Sequence, residues 1–151
     1  LGLIVIDYIQ LIMGTGSKKT EGNRVQELSE ISRGLKILAK ELNVPVVLLC
    51  QLNRESEGRP GGRPELFHLR ESGAIEQDAD VVMLLYRPAL ARITTDRESG
   101  YPSEGLGMVI LAKHRNGETG DVYFGHNPTL TKIGEYEPTL EWMARNARSS
   151  C

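Results

Sequence analysis

Cysteine is scarce in this chain of 151 residues: there are two, Cys50 inside an apolar run and Cys151 at the end. Two thiols so placed do not found a disulfide framework, and they suit the reduced core and tail positions of a cytosolic protein. Neither belongs to a CxxC pair, and His68, His114 and His126 are far apart in the chain, so the spacing argues against a zinc site. No apolar run approaches the roughly 20 residues needed to cross a bilayer. The first residues also lack the basic stretch of a signal peptide, so the expectation is a cytoplasmic protein with no membrane segment. Basic charge is not in excess either. Eighteen Lys and Arg against twenty Asp and Glu give a formal net charge of -2, so any contact with nucleic acid has to come from a local patch. Nothing has the form of a Ser-His-Asp nucleophile elbow.

What the chain does have is the material of one folded unit, with 40% apolar and 25% charged residues and enough length for one real core. It opens without a methionine on Leu1-Gly2-Leu3-Ile4-Val5-Ile6-Asp7, the pattern of a strand buried on both faces. Met13 to Gly22 reads as a loop, after which Asn23 caps a helix with Gln26 at the capping-box position. Val25, Leu28, Ile31, Leu35, Leu38 and Leu42 then form one apolar stripe. Arg24, Glu27, Glu30, Arg33, Lys36 and Lys40 face away from it. Asn43 and Pro45 stop the helix, and Val46 to Cys50 is a second strand, parallel to the first by the rule for βαβ units. A long loop over Asn53 to Pro64, a short helix over Ser72 to Gln77 and a third buried strand over Asp80 to Tyr86 follow. Pro88 to Gly105 is irregular. Met108–Ala112 and Asp121–Phe124 flank Asn116-Gly117, a hairpin signal that ends the sheet in antiparallel strands. The expected division is residues 1–134 as the folded portion and 135–151 as a tail, helical or extended.

Several residues are suited to chemistry. An apolar strand ending in Asp7 delivers a carboxylate to the carboxyl edge of the sheet, where ligands of open α/β folds bind and where it can hold Mg²⁺ directly or through water. Such acids also serve turns and caps in ordinary strands. The second strand ends near Gln51, whose amide at the same edge can meet a γ-phosphate or orient an attacking water; a solvated strand-end glutamine is the plain alternative. Lys113 and Arg115 stand at the hairpin tip, where a projecting arginine can stabilise phosphoryl-transfer charge at a neighbouring subunit's site. A solvated basic turn would have the same composition. Arg70, Glu71 and Gly73 lead into the short helix, whose backbone N–H groups can take a nucleic-acid phosphate or merely cap it.

Taken together, Ile6-Asp7-Tyr8-Ile9-Gln10-Leu11-Ile12, Ser32 to Ala39, Gln51-Leu52-Asn53-Arg54, Leu69 to Asp80 and Lys113-His114-Arg115-Asn116-Gly117 resemble the ordered motifs of DnaB-type replicative helicases. The resemblance implies an α/β fold: part of a RecA-like (P-loop NTPase) core with parallel central strands, an antiparallel hairpin at the C-terminal end and helices packed on the sheet. It implies a homo-hexamer that uses ATP and Mg²⁺ to move on single-stranded DNA, meeting a primase and a helicase loader. Asp7 then matches the Walker B carboxylate and Gln51 the γ-phosphate sensor. Arg115 matches the arginine finger with Lys113 beside it, and Arg70, Glu71 and Gly73 match the DNA-gripping loop. Three departures stand out. No GxxxxGK[ST] element occurs, so the chain alone is expected not to hydrolyse ATP appreciably. The hairpin reads Lys-His-Arg where relatives often have Gln in the middle, and Glu118 replaces a common Pro. The end after Phe124 fits the pattern poorly. Missing neighbour strands would leave an exposed sheet edge and an apolar face, with marginal stability or self-association expected. Another RecA-like DNA-dependent ATPase, or a catalytically dead DNA-binding or ring-forming subunit, are the alternatives.

Overall fold

In a computed structural model, residues 1–12, 21–52, 62–138 and 143 are described, with the backbone alone at 21–23 and 70–72. The chain divides into two compact units. The first comprises Leu1–Arg54 and Glu65–Asp80, the second Glu55–Pro64 and Val81–Cys151.

Unit 1 is built on two short parallel strands, β1 (Ile4–Ile6) and β2 (Val46–Leu48), paired Ile4↔Val46, Val5↔Val47 and Ile6↔Leu48. Between them runs α1 (Glu21–Leu42), so the βαβ unit and its parallel pairing are as the sequence predicts. The helix begins before Asn23, which lies inside it and is not its cap. The expected loop from Met13 lies outside the described residues as far as Thr20, and Glu21 and Gly22 are helical. The buried centre of the helix is narrower than its apolar stripe: Leu28 packs with Ile9 and Ile75, and Ile31, Ile12, Leu48 and Cys50 surround them, whereas Val25 and Leu42 are exposed. Burying a leucine like this stabilises by about 1.5–3 kcal/mol. Two residues expected to face water turn inward instead, Arg24 onto backbone carbonyls and Glu27 onto Arg24. Lys36 is ion-paired with Asp80.

A 3₁₀ stretch at Leu66–Ser72, kinked at Leu69 and not expected from the sequence, precedes α2 (Gly73–Asp78). It starts on Glu65, a residue outside the favoured Ser, Thr, Asp and Asn caps. A reciprocal capping box with His68 holds it, the Glu65 N–H donating to His68 Nδ1 at 2.8 Å.

Unit 2 is a four-stranded antiparallel sheet in the order β3 (Val81–Tyr86), β4 (Leu106–His114), β5 (Gly120–His126), β6 (Ile133–Gly134). The third apolar strand thus pairs antiparallel with β4 in a sheet of its own, and it is not buried on both faces. Val82, Leu84 and Tyr86 are buried while Val81, Met83 and Leu85 are exposed. Alternation of this kind is what an antiparallel sheet covered on one face produces, whatever the apolarity of the outward row. Leu106, Met108 and Ile110 fill the inner face from β4. Gly107, paired with Phe124, has no side chain because the Phe124 ring occupies the space: a Cβ there would lie 2.2 Å from it.

The segment from Pro88 to Gly105 is irregular but pinned. Buried Asp96 accepts hydrogen bonds from Ser99 N–H at 2.9 Å and Ser99 Oγ at 2.7 Å. Tyr101 stacks edge-on against Tyr123 and tilted against Tyr136, and Tyr136 donates from its hydroxyl to the Pro102 carbonyl at 2.6 Å. Arg63 donates to Asp121 at 2.6 Å. Its Nη1 lies 3.3 Å from Glu98, close enough to attract but not aligned as a hydrogen bond. Burial works against the Arg63 charge, yet the hydrogen bond to Asp121 and the charges of Asp121, Glu98 and Asp96 outweigh it and hold the guanidinium above its usual value. The loop over Asn53 to Pro64 lies outside the described residues except for its last three, and most of the tail beyond Pro138 does as well.

Candidate active site

In unit 1, Asp7 follows the last residue of β1, and Gln51 comes three positions after the end of β2. Because Ile6 pairs with Leu48, both leave the sheet at its carboxyl edge, and both are exposed. The ladder extends slightly past the strands. Leu49 N–H donates to the Ile6 carbonyl at 2.9 Å and Ile9 N–H to the Leu49 carbonyl at 3.0 Å. The chain after Asp7 then curls into a 3₁₀ turn, Ile9–Leu11, anchored by fully buried Ile9. On this turn Gln10 reaches across to β2's continuation, donating from Nε2 to the Gln51 carbonyl at 3.1 Å and to Cys50 Sγ at 3.4 Å. Arg24 of α1 holds the turn from beneath, donating to the Gln10 carbonyl at 2.9 Å and the Ile12 carbonyl at 3.0 Å, with Glu27 as its counter-ion at 2.6 Å.

Arg70 and Glu71 belong to the 3₁₀ turn before α2; their side chains lie outside the described residues. Gly73 opens α2, is exposed, and has open space where a Cβ would sit.

Lys113 and Arg115 lie in unit 2, and the structure separates their settings. Lys113 is not at a hairpin tip: it is a half-buried strand residue paired with Val82 of β3. Leu111 pairs with Met83, so Ala112 is an extra residue, a bulge of the kind that re-aims the side chains beyond it. The last β4–β5 pair is Leu111↔Gly120, so Asn116-Gly117 sits in a longer connection rather than a two-residue turn. Arg115, the first residue past β4, is exposed. The turn around it is ordered by His114, whose ring lies where a Cβ on Gly117 would be, 2.4 Å away, and whose Nδ1 is 3.3 Å from the Glu118 carbonyl.

Among the described residues no group of three or more His, Cys, Asp or Glu could cage a metal ion. A lone exposed carboxylate such as Asp7 still fits Mg²⁺, which usually binds through one or two carboxylates together with substrate phosphates and water. It does not fit zinc or calcium, which need more protein ligands. Among the described residues no helix is long and apolar enough to cross a membrane.

Residues 1–135 match the profile of the DnaB-like helicase C terminal domain. The chain belongs to that family. It is 42% identical over 148 residues to the replicative DNA helicase DnaB of Rickettsia prowazekii, covering 91% of this chain and 30% of that protein. It is 50% identical over 122 residues to the same helicase of Geobacillus stearothermophilus, covering 81% of this chain and 25% of the relative. Among solved structures, a DnaB-like replicative helicase described with its interactions with primase superposes with a TM-score of 0.75 at 37% identity, over 89% of this chain and 31% of its own. A separately solved ATPase domain gives the same TM-score and identity, over 89% of this chain and 44% of that one. The chain therefore spans under a third of the curated helicases it matches, and its α/β fold is a portion of their RecA-like ATPase domain.

Two further residues bond to the segments that hold Asp7 and Gln51, Gln10 to the Gln51 carbonyl and Arg24 to the turn after Asp7. Gln10 sits inside the Asp7 motif, and its only signal was an amide beside apolar Ile9 and Leu11. Arg24 had no signal at all, since helical spacing placed it on the solvent face.

Proposed function

We propose that this domain is the part of a cytoplasmic, ring-forming replicative DNA helicase that completes its ATP site and grips its DNA. The observation that carries the reading is the convergence of Asp7 and Gln51 at the carboxyl edge of two adjacent parallel strands. Asp7 would hold Mg²⁺, which neutralises phosphate charge, and the Gln51 amide would meet the γ-phosphate or its attacking water. The loop that cradles the phosphates has no counterpart in these 151 residues and would come from the length of the helicase that this chain does not span.

Arg115 is the arginine finger in this reading. Its place beyond the end of a strand suits a group that must reach another copy's nucleotide, and Lys113 supports it from within the strand. Arg70, Glu71 and Gly73 contact the single strand, whose backbone is gripped without regard to sequence. A ring needs few phosphate contacts per copy, so a net charge of -2 is no obstacle. Primase and a loader are the partners that such a helicase meets.

The test is ATP hydrolysis, with and without single-stranded DNA, by this chain and by a chain extended upstream through a phosphate-binding loop. Only the extended chain is expected to turn over. Arg115→Ala should lower its kcat by about 10³–10⁵-fold while nucleotide still binds. An extended chain that binds DNA and never hydrolyses ATP would overturn the reading in favour of a dead ring subunit.

A further inference from the structure

The carboxyl edge of unit 1 has a ladder problem that a side chain solves. Backbone pairing between the two strands stops at the Ile9 to Leu49 bond, because the chain after Asp7 turns away into its 3₁₀ turn. Among the described residues no strand runs beside the continuation of β2 past Leu49, yet Gln51 needs a fixed main chain if its amide is to meet a phosphate.

The side-chain amide of Gln10 stands in for the missing peptide. Its Nε2 donates to the Gln51 carbonyl at 3.1 Å, and its Oε1 lies 3.5 Å from the Gln51 N–H, at the long limit of a hydrogen bond. A third contact runs to Cys50 Sγ at 3.4 Å. A carbonyl and an N–H engaged by one amide group hold the two peptide units on either side of the Gln51 Cα, and with them the direction in which the Gln51 side chain leaves. Gln10 is itself held, since its own carbonyl receives Arg24 and the neighbouring Ile9 is fully buried.

We propose that Gln10 is a positioning residue for Gln51, tying the main chain of the phosphate-sensing strand to the turn that follows Asp7. The proposal rests on the reading of Gln51 given above. Glutamine is the side chain that meets the need. Glutamate cannot donate to the Gln51 carbonyl and would bring negative charge toward a phosphate site, and asparagine is one methylene too short.

A group that orients a reacting phosphate loses rate when displaced by about 1 Å, by up to roughly a hundredfold, more than it loses ground-state binding. In a full-length helicase chain carrying this domain, Gln10→Ala should therefore lower kcat for ATP hydrolysis about tenfold to a hundredfold and leave KM within about twofold. Gln10→Glu, of nearly the same shape, should do the same and serves if the alanine variant folds poorly. The deciding measurement is the double variant. If Gln10 acts through Gln51, Gln10→Ala added to Gln51→Ala costs nothing further. Losses that multiply, or a rise in KM with kcat unchanged, would overturn the proposal while leaving Gln51 as the sensor. If Gln51→Ala itself leaves hydrolysis intact, the reading of Gln51 falls and the proposal falls with it.

Discussion

The two units hold their chemistry-bearing residues by different means. Unit 1 has strands of three residues each and steadies its edge with side chains that bond to backbone, Gln10 onto Gln51 and Arg24 onto the turn after Asp7. Unit 2 has strands of up to nine residues, and the position of Arg115 follows from strand register, a bulge at Ala112 and a ring folded over a glycine. A short parallel pair cannot fix much beyond its own ends, so specificity moves to side chains. In a long antiparallel ladder the backbone carries the geometry as far as the turn, where the His114 ring packs over Gly117.

That contrast predicts separable stabilities. Met108 is fully buried near the start of β4. Met108→Ala should cost about 2–5 kcal/mol, the range for buried methionine truncation. Followed by hydrogen exchange, the loss should appear in the amides of β3, β4 and β5 and leave β1 and β2 protected as before. Equal loss of protection at Val5 and Val47 would mean that the units unfold together.

A smaller effect is expected at the ion pair of unit 2. Arg63→Ala leaves Asp121, whose side chain is only 13% exposed, without its partner. Removing one member of a buried pair costs about 3–5 kcal/mol. With Arg63 28% exposed, water screens the pair, and a cost of about 1–2 kcal/mol is expected. Denaturant unfolding of this chain measures it. No change would mean that Glu98 and Asp121 are solvated well enough without the guanidinium.

What the sequence made legible follows from the same contrast. Periodicity and stop signals gave α1, the parallel pairing of β1 with β2, and the positions of Asp7 and Gln51 at one edge, because those depend on patterns a few residues long. The antiparallel pairing of β4 with β5 was legible from the Asn116-Gly117 signal, but not that β3 joins them: an apolar run such as Val81 to Tyr86 looks buried on both faces, and only its partner decides that it is not. The 3₁₀ turn before α2 was missed because its cap uses a glutamate and a histidine. Arg24 and Gln10 were missed as positioning groups because their partners are backbone atoms 12 to 41 residues away, and helical or strand spacing says nothing about those.

The gentlest test concerns the turn that carries Arg115. His114 lies over Gly117 so closely that a methyl group there would meet its ring at 2.4 Å, and the ring is the movable party. Gly117→Ala should therefore displace His114 from the Glu118 carbonyl without disturbing the β4–β5 pairs, which end at Leu111 and Gly120. Stability should fall by less than about 1 kcal/mol, as for changes outside a core. If the ring sets the path of the turn, ATP hydrolysis in a full-length helicase chain should still drop severalfold, because the finger role proposed for Arg115 requires it to be aimed. His114→Ala alone should reproduce that loss. Full activity in both variants would show that Ala112 and the ladder suffice to aim Arg115, so that unit 2, unlike unit 1, needs no side-chain clamp at its site.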